Sequence, residues 1–478
     1  MNERQKREKI IIILKNIATI FVVFSMVFVL IFLIQGWMID FDDGKTVRTG
    51  LVQFASNING STVEVGEKTL SEKTNTKTQL KPGEYEFKMW FEKYELWYRK
   101  ASVKSGEVLW LNYARLVPKE KKITSHLQFE NLKSVKFSDN KEKALAISET
   151  AEGLVNFSIV QLGETLKATE IKVPESLFFR ELADGENTFS KIAENITIES
   201  LNENATRAIL KWKNDENYEW LAIDLNDPEK SINLTDNFST NFSKISPKNR
   251  NHSKLYALTA DFHLREIDLG AQTISSNLLS GVVDFDIYND EISTFVQKNS
   301  NGKFSVGIFR IDRQTVILAK DFTAQPRIIT GVYYGENYVH ILDGQKVLIF
   351  KGQEWSGDRK PKKIREINLD FKVEDFEINA ENRILKIGSA SKTVTFDLET
   401  NSKYEISAGG LKWLDSFVLY NFENEKMVMR DFDGSNKYSI FGAKSNFGVT
   451  LSKDGKYIYG ITDKSEGNSQ FSRVQMVL

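Results

Sequence analysis

Four histidines, His126, His252, His263 and His340, are the only imidazoles in the chain, and there is no cysteine. They are far apart, with neither HExxH nor His-x-His spacing, so zinc has no local scaffold. Each reads as a surface or hairpin residue. The missing cysteine removes disulfides, thiolate ligands and sulfur nucleophiles together. No Gly-x-Ser-x-Gly elbow and no phosphate-binding P-loop occur. Asp431-Phe432-Asp433-Gly434-Ser435-Asn436 places two carboxylates before a glycine, as calcium loops do. It lacks the third carboxylate and the closing bidentate Glu, and a Gly-containing hairpin turn accounts for it. The sequence thus offers no catalytic residue, no cofactor-binding residue and no metal ligand.

Binding chemistry is more visible. Trp355, Lys360, Lys362 and Lys363, followed by Arg365, form one basic loop with an aromatic beside it. Such a loop suits an anionic wall polymer through charge-assisted contacts, while a solvated loop is the bland alternative. Lys+Arg 64 against Asp+Glu 65 leaves a net charge of -1. No overall field attracts a polyanion, so nucleic acid is not an expected partner.

At about 150 residues per domain, 478 residues suggest about three units. The first is apolar: Ile17 to Ile34 carries no charge, and 18 residues at helical rise cover about 27 Å, most of a bilayer core. Arg4, Lys6, Arg7, Lys9 and Lys15 lie on one side of it, and Asp40, Asp42 and Asp43 on the other. The expectation is a transmembrane helix over residues 10–36, with residues 1–9 cytoplasmic and the remainder extracytoplasmic. Trp37 falls where an interfacial aromatic is favoured. A cleaved signal peptide shares the basic start, but the apolar run is too long and no small-x-small site follows it. The sequons at Asn59, Asn195 and Asn233 arise by chance in an Asn-rich chain.

From residue 46 to 118 short alternating runs separated by turn residues predict a small β module. Lys81-Pro82-Gly83-Glu84 has the residues of a type II turn, and Tyr85, Phe87 and Met89 alternate after it. Gly60-Ser61-Thr62-Val63-Glu64-Val65-Gly66, Leu80-Lys81-Pro82-Gly83-Glu84-Tyr85, Tyr94-Glu95-Leu96-Trp97 and Ser105-Gly106-Glu107 resemble the PEGA domain. Ile58 and Asn59 stand where that family has its Pro-Glu pair. The resemblance covers residues 50–117 and implies an extracytoplasmic β-sandwich of bacterial surface proteins that contacts carbohydrate or protein. It implies no catalytic residue.

Beyond residue 119 one pattern recurs: apolar strand, polar turn, apolar strand. It begins near Ser134, Ile196, Phe242, Val282, Ile328, Val373, Leu411 and Phe447. Residues 120–478 divided by eight give about 45 each, the length of a four-stranded propeller blade. Leu451-Ser452-Lys453-Asp454-Gly455-Lys456-Tyr457-Ile458 is the clearest copy, and it resembles the WD40-like repeats of Tol-associated propellers. The fold class expected for the whole chain is all-β: an N-terminal transmembrane helix, a PEGA-like sandwich, and one propeller over 119–478. Eight blades are favoured and seven are the alternative. The eighth unit ends after its third strand at Val474 to Leu478, so a strand from Ile123 to Phe129 is free to complete it. The stretch Glu175 to Asn195 breaks the repeat and reads as an insertion, with Phe178 and Phe179 in the core or at a partner.

These features predict a non-catalytic binding or scaffold protein of the bacterial cell envelope. It would contact an envelope protein or wall glycan through the propeller, with no cofactor. The alternative is a surface polysaccharide hydrolase or lyase acting at the propeller's channel mouth.

Overall fold

The computed structural model describes residues 3–34, 36–39, 46–150, 155–178, 193–214, 217–288, 292–310, 315–352, 361–465 and 468–478. The chain is all-β apart from an N-terminal helix and a few single turns. It divides into two compact units, Met1–Glu120 and Lys121–Leu478.

In the first unit the helix spans Glu3–Ile34. Its side chains are described over residues 13–28 and at 30 and 31. The apolar ones among them are exposed, Phe21, Phe24 and Phe28 included. Among the described residues no helix is long and apolar enough to cross a membrane. The uncharged run to Ile34 extends past the described side chains. A short ladder, Trp37–Ile39 with Thr46–Arg48, follows.

Two sheets then face each other. In one, Gly50–Ser56 pairs antiparallel with Thr76–Leu80 and parallel with Val108–Ala114. The other runs Lys68–Thr69, Thr62–Val65, Gly83–Trp90, Trp97–Val103. Alternation along Gly83–Trp90 turns Phe87 and Met89 inward, where with Phe54 and Trp97 they are fully buried. The Phe54 and Phe87 rings lie 5.7 Å apart. The expected type II turn does not form. Thr76–Leu80 and Gly83–Trp90 belong to different sheets, so Lys81-Pro82 carries the chain across the sandwich, and Gly83 enters its strand without positive φ.

Among its described residues the second unit has eight antiparallel sheets in chain order, beginning at the strands Leu132–Phe137, Ile196–Leu201, Phe242–Pro247, Val282–Ile287, Arg327–Tyr333, Asp375–Ile378, Lys412–Trp413 and Val449–Leu451. Seven are consecutive meanders, the third carrying an extra short strand, Leu279–Ser280. The eighth takes its fourth strand from the beginning of the unit: Ile123–Glu130 pairs with Asn468–Gln475, Ile123 opposite Val474 and Ser125 opposite Ser472. The Ser125 and Ser472 hydroxyls are 2.9 Å apart. This pairing satisfies ladder groups that the terminal sheet would otherwise leave open.

Each sheet packs on the next. Leu145 and Phe157 meet Ile196 and Leu210, Trp220 meets Phe242, and Tyr256 meets Phe285. Val306 then meets Val339, Val347 meets Leu385, and Ile406 meets Leu419. The Val449 N–H donates to the Tyr420 hydroxyl at 3.4 Å between the seventh and eighth sheets. Tyr459 and Phe471 of the eighth pack on Ala144 and Val160 of the first. The series therefore returns to its start.

Within the inserted stretch, Phe178 stacks on Phe157 at 6.4 Å and meets Trp212 edge-on at 5.7 Å, filling the core between the first two sheets. Phe179 lies outside the described residues. The Asn233 side chain caps the one-turn helix Leu234–Asn237, and its amide nitrogen donates to Glu219 and to the Leu177 carbonyl.

Candidate functional site

Five first hairpins share one turn. The carbonyls of Ser138, Asn202, Asn249, Asn379 and Ser452 accept the N–H three residues on, at 2.9 to 3.0 Å. The residue there, Lys141, Ala205, His252, Asn382 or Gly455, has positive φ. The side-chain oxygen of the leading residue then accepts N–H groups where the chain re-enters the sheet. Asn202 Oδ1 takes Thr206 N at 2.7 Å and Arg207 N at 2.9 Å, and Asn379 Oδ1 takes Arg383 N at 2.8 Å and Ile384 N at 2.9 Å. Short polar side chains are favoured at such positions because they replace missing ladder partners. Glycine suits the positive-φ position, and only the clearest repeat retains it.

Three of these turns, those of the first, third and sixth sheets, line a depression of about 1200 Å³. Its lining comes from the first strands or first turns of five sheets: Lys136 and Asp139 from the first, Glu199 from the second, Arg250 and His252 from the third, Tyr288 from the fourth and Asn382 from the sixth. First strands thus converge on one place. Beside it, Lys244 Nζ donates to Asp284 at 2.7 Å and to the Phe285 carbonyl at 2.6 Å, and Thr330 N donates to Asp286 at 2.6 Å. These contacts join the first strands of the third, fourth and fifth sheets. Burial pushes the Asp286 carboxyl up to about 6 against the pull of the Thr330 N–H and Lys244.

Further round, Arg383 is buried and holds Asp397 through two parallel hydrogen bonds, 2.9 and 2.7 Å, with Glu399 at 2.6 Å. Tyr333 of the fifth sheet donates to Glu399 at 2.9 Å, and the guanidinium lies over Phe417 of the seventh. Fully buried Lys386 binds Asp375, the Leu411 carbonyl and, at 3.1 Å, Glu377.

Electrostatics within the depression are mixed. Burial raises the Asp139 carboxyl, Lys136 lowers it and Glu203 raises it again. Burial, reinforced by Arg207, lowers the His252 imidazole to about 4, and its Nδ1 has no hydrogen-bond partner. The other histidines are dispersed. His126 lies in the strand Ile123–Glu130, and His263 Nδ1 is 3.1 Å from the Ser280 hydroxyl. His340 departs from the expected surface or hairpin position. It lies inside the strand Glu336–Asp343, fully buried, with its ring stacked on Tyr338 at 6.1 Å.

The Asp431–Asn436 segment is a turn between the third and fourth strands of the seventh sheet. Its carboxylates serve the turn: Asp433 accepts from the Ser435 hydroxyl at 2.7 Å, and Asp431 accepts from the Asn436 amide at 2.8 Å. Among the described residues no group of three or more His, Cys, Asp or Glu is placed to hold a metal ion.

Of the expected basic loop, Trp355 and Lys360 lie outside the described residues. Lys362 and Lys363 are exposed at the start of the strand Lys362–Asn368, with Lys363 3.2 Å from Glu366, and Arg365 lies over the Phe396 ring. Sequence spacing does not single out Lys136, Asp139, Glu199, Arg250 or His252. The usable signal is their register, since each lies within three residues of a turn-leading Ser138, Asn202 or Asn249.

Residues 49–119 match the family model of the PEGA domain. No curated protein matches the chain. Among solved structures the chain is similar to an oligogalacturonate lyase in complex with manganese, at 8% identity over 73% of this chain and 99% of that one, with a TM-score of 0.41. It is also similar to a chain of a mitotic checkpoint complex, at 12% identity over 61% of this chain and 98% of that one, with a TM-score of 0.37.

Proposed function

We propose that the protein is a membrane-anchored, extracytoplasmic binding or scaffold protein of a bacterial cell envelope. In this reading residues 121–478 are an eight-bladed β-propeller that engages protein or wall glycan through its hairpin face. The observation that carries it is the polar depression on which the first strands and turns of five sheets open. Propellers bring inter-strand loops to such faces for recognition. The PEGA-like segment supports an extracellular role. The uncharged run Ile17 to Ile34 and its basic N-terminal flank support one membrane span with the N-terminus cytoplasmic. Lys362 and Lys363 stand at the same end of their sheet as its first hairpin, which supports a part for these two lysines in that face.

The alternative, a polysaccharide hydrolase or lyase at the channel mouth, draws on the raised Asp139 carboxyl sharing the depression with Glu199. The test is two-part. Protease added to intact cells should remove the bulk of the chain, and crosslinking through the hairpin face should capture an envelope protein or wall material. Protection of the C-terminal unit would contradict the location, and turnover of a wall glycan by the purified chain would favour the enzyme.

A further inference from the structure

We propose that the depression and the gap between the second and third sheets form one groove that takes a linear anionic glycan. This rests on the binding reading above and names its ligand class. Three recesses follow one another. Asn251 lines both the large depression and a recess of about 300 Å³ that also touches Arg207 and Asp224. Arg207 and Asp224 in turn line another of about 300 Å³, which reaches Lys230, Gly270 and Gln272. Asn251 belongs to the first hairpin of the third sheet, whereas Lys230 and Gln272 belong to connections between third and fourth strands. The path therefore runs outward along the hairpin side, from the first strands toward the last. One compact ligand would need one recess; recesses in series suit a chain.

The chemistry along the path fits a polyhydroxylated anion. Arg250 is exposed, and among the described residues it has no hydrogen-bond or ion-pair partner. Lys136 is exposed beside Asp139. Farther out, Arg207 pairs with Asp224 at 3.7 Å and Lys230 with Asp227 at 2.8 Å. Surface pairs of this kind contribute little, so a ligand anion can compete for the cations. Asn251 and Gln272 add neutral donors and acceptors that match hydroxyls. His252 is buried, lines the depression and has Nδ1 unpartnered, and such groups ordinarily find a partner. Polar side chains dominate the large depression and the recess beside it, whereas Ile209, Ile223, Ile232 and Leu269 add apolar wall to the outermost recess. Peptide recognition relies on apolar pockets for successive side chains, and only this last recess offers one.

The experiment is calorimetric titration of the detergent-solubilised full chain. The probes are oligosaccharides of alternating glucuronic acid and N-acetylglucosamine in graded lengths, neutral β-1,4-glucose oligomers, and oligoglutamate. Affinity for the acidic sugars should rise with length, level off, and fall with added salt. Arg250→Ala and Lys136→Ala should each weaken every length by about tenfold, one charge-assisted contact's worth. Lys230→Ala should weaken only the longer fragments. Unchanged melting of these variants would confirm an intact fold. Length-independent binding, equal binding of the neutral sugar or tighter binding of oligoglutamate would overturn the proposal. If no glycan binds while the chain still captures an envelope protein, the glycan inference falls alone. If neither occurs, the binding reading falls with it.

Discussion

His340 shows what a buried polar ring without a hydrogen-bond partner does to stability. Neither ring nitrogen has a partner, and burial lowers its pKa to about 3. The folded protein therefore keeps the ring neutral, while the unfolded chain takes up a proton below its ordinary pKa of about 6.5. Stability linked to this group is complete above that value and falls as pH drops from about 6.5 toward 3. At pH 5 the loss is about 2 kcal/mol, from the slope of roughly 1.4 kcal/mol per unit. Replacing His340 with Phe preserves a planar ring against Tyr338 and removes the proton. Denaturant unfolding at pH 5 and pH 8 should show a smaller difference for the variant than for the parent. An unchanged difference would place His340 elsewhere than in the core.

The turn led by Ser or Asn organises the elements. Asn202 is buried and its carboxamide oxygen holds two N–H groups at the point where the second sheet's hairpin closes. Asn202→Ala leaves both donors without that acceptor and should cost about 1 to 3 kcal/mol, measured as a lowered denaturant midpoint with unchanged m. A loss below 0.5 kcal/mol would mean that the turn does not depend on this side chain. The repeat was legible for the same physical reason. Apolar alternation fixes which face of each strand is buried, and a polar turn separates the first two strands of each unit, so the eight starting points coincide with eight sheets. The sandwich crossing at Lys81-Pro82 was not legible, because Pro-Gly marks a change of direction without specifying whether the next strand pairs in the same sheet. Nor was the depression: Lys136, Glu199 and Arg250 are 63 and 51 residues apart in sequence and are joined only by the packing of successive sheets. His340 misled because period-two patterning marks it as facing the interior only once the strand's register is known.

At the scale of the molecule, the cooperativity of the second unit rests on how its two ends meet. Pairing of Ile123–Glu130 with Asn468–Gln475 joins the two ends of that unit, and the core shared by the eighth and first sheets surrounds the junction. A unit joined this way should unfold as one cooperative body, since opening the junction exposes two strand edges and part of that core. The chain contains no cysteine, which makes the junction directly testable with one introduced pair, Ser125→Cys with Ser472→Cys. The two positions face each other across the antiparallel ladder, a separation that a disulfide can span. Mild oxidation should form the bond in the folded monomer, giving a mobility shift under non-reducing conditions, and should raise the unfolding midpoint by the equivalent of roughly 3 kcal/mol or more, because a very long loop is closed. Failure of the thiols to join in folded protein, or bonding only between molecules, would contradict a closed eight-sheet unit.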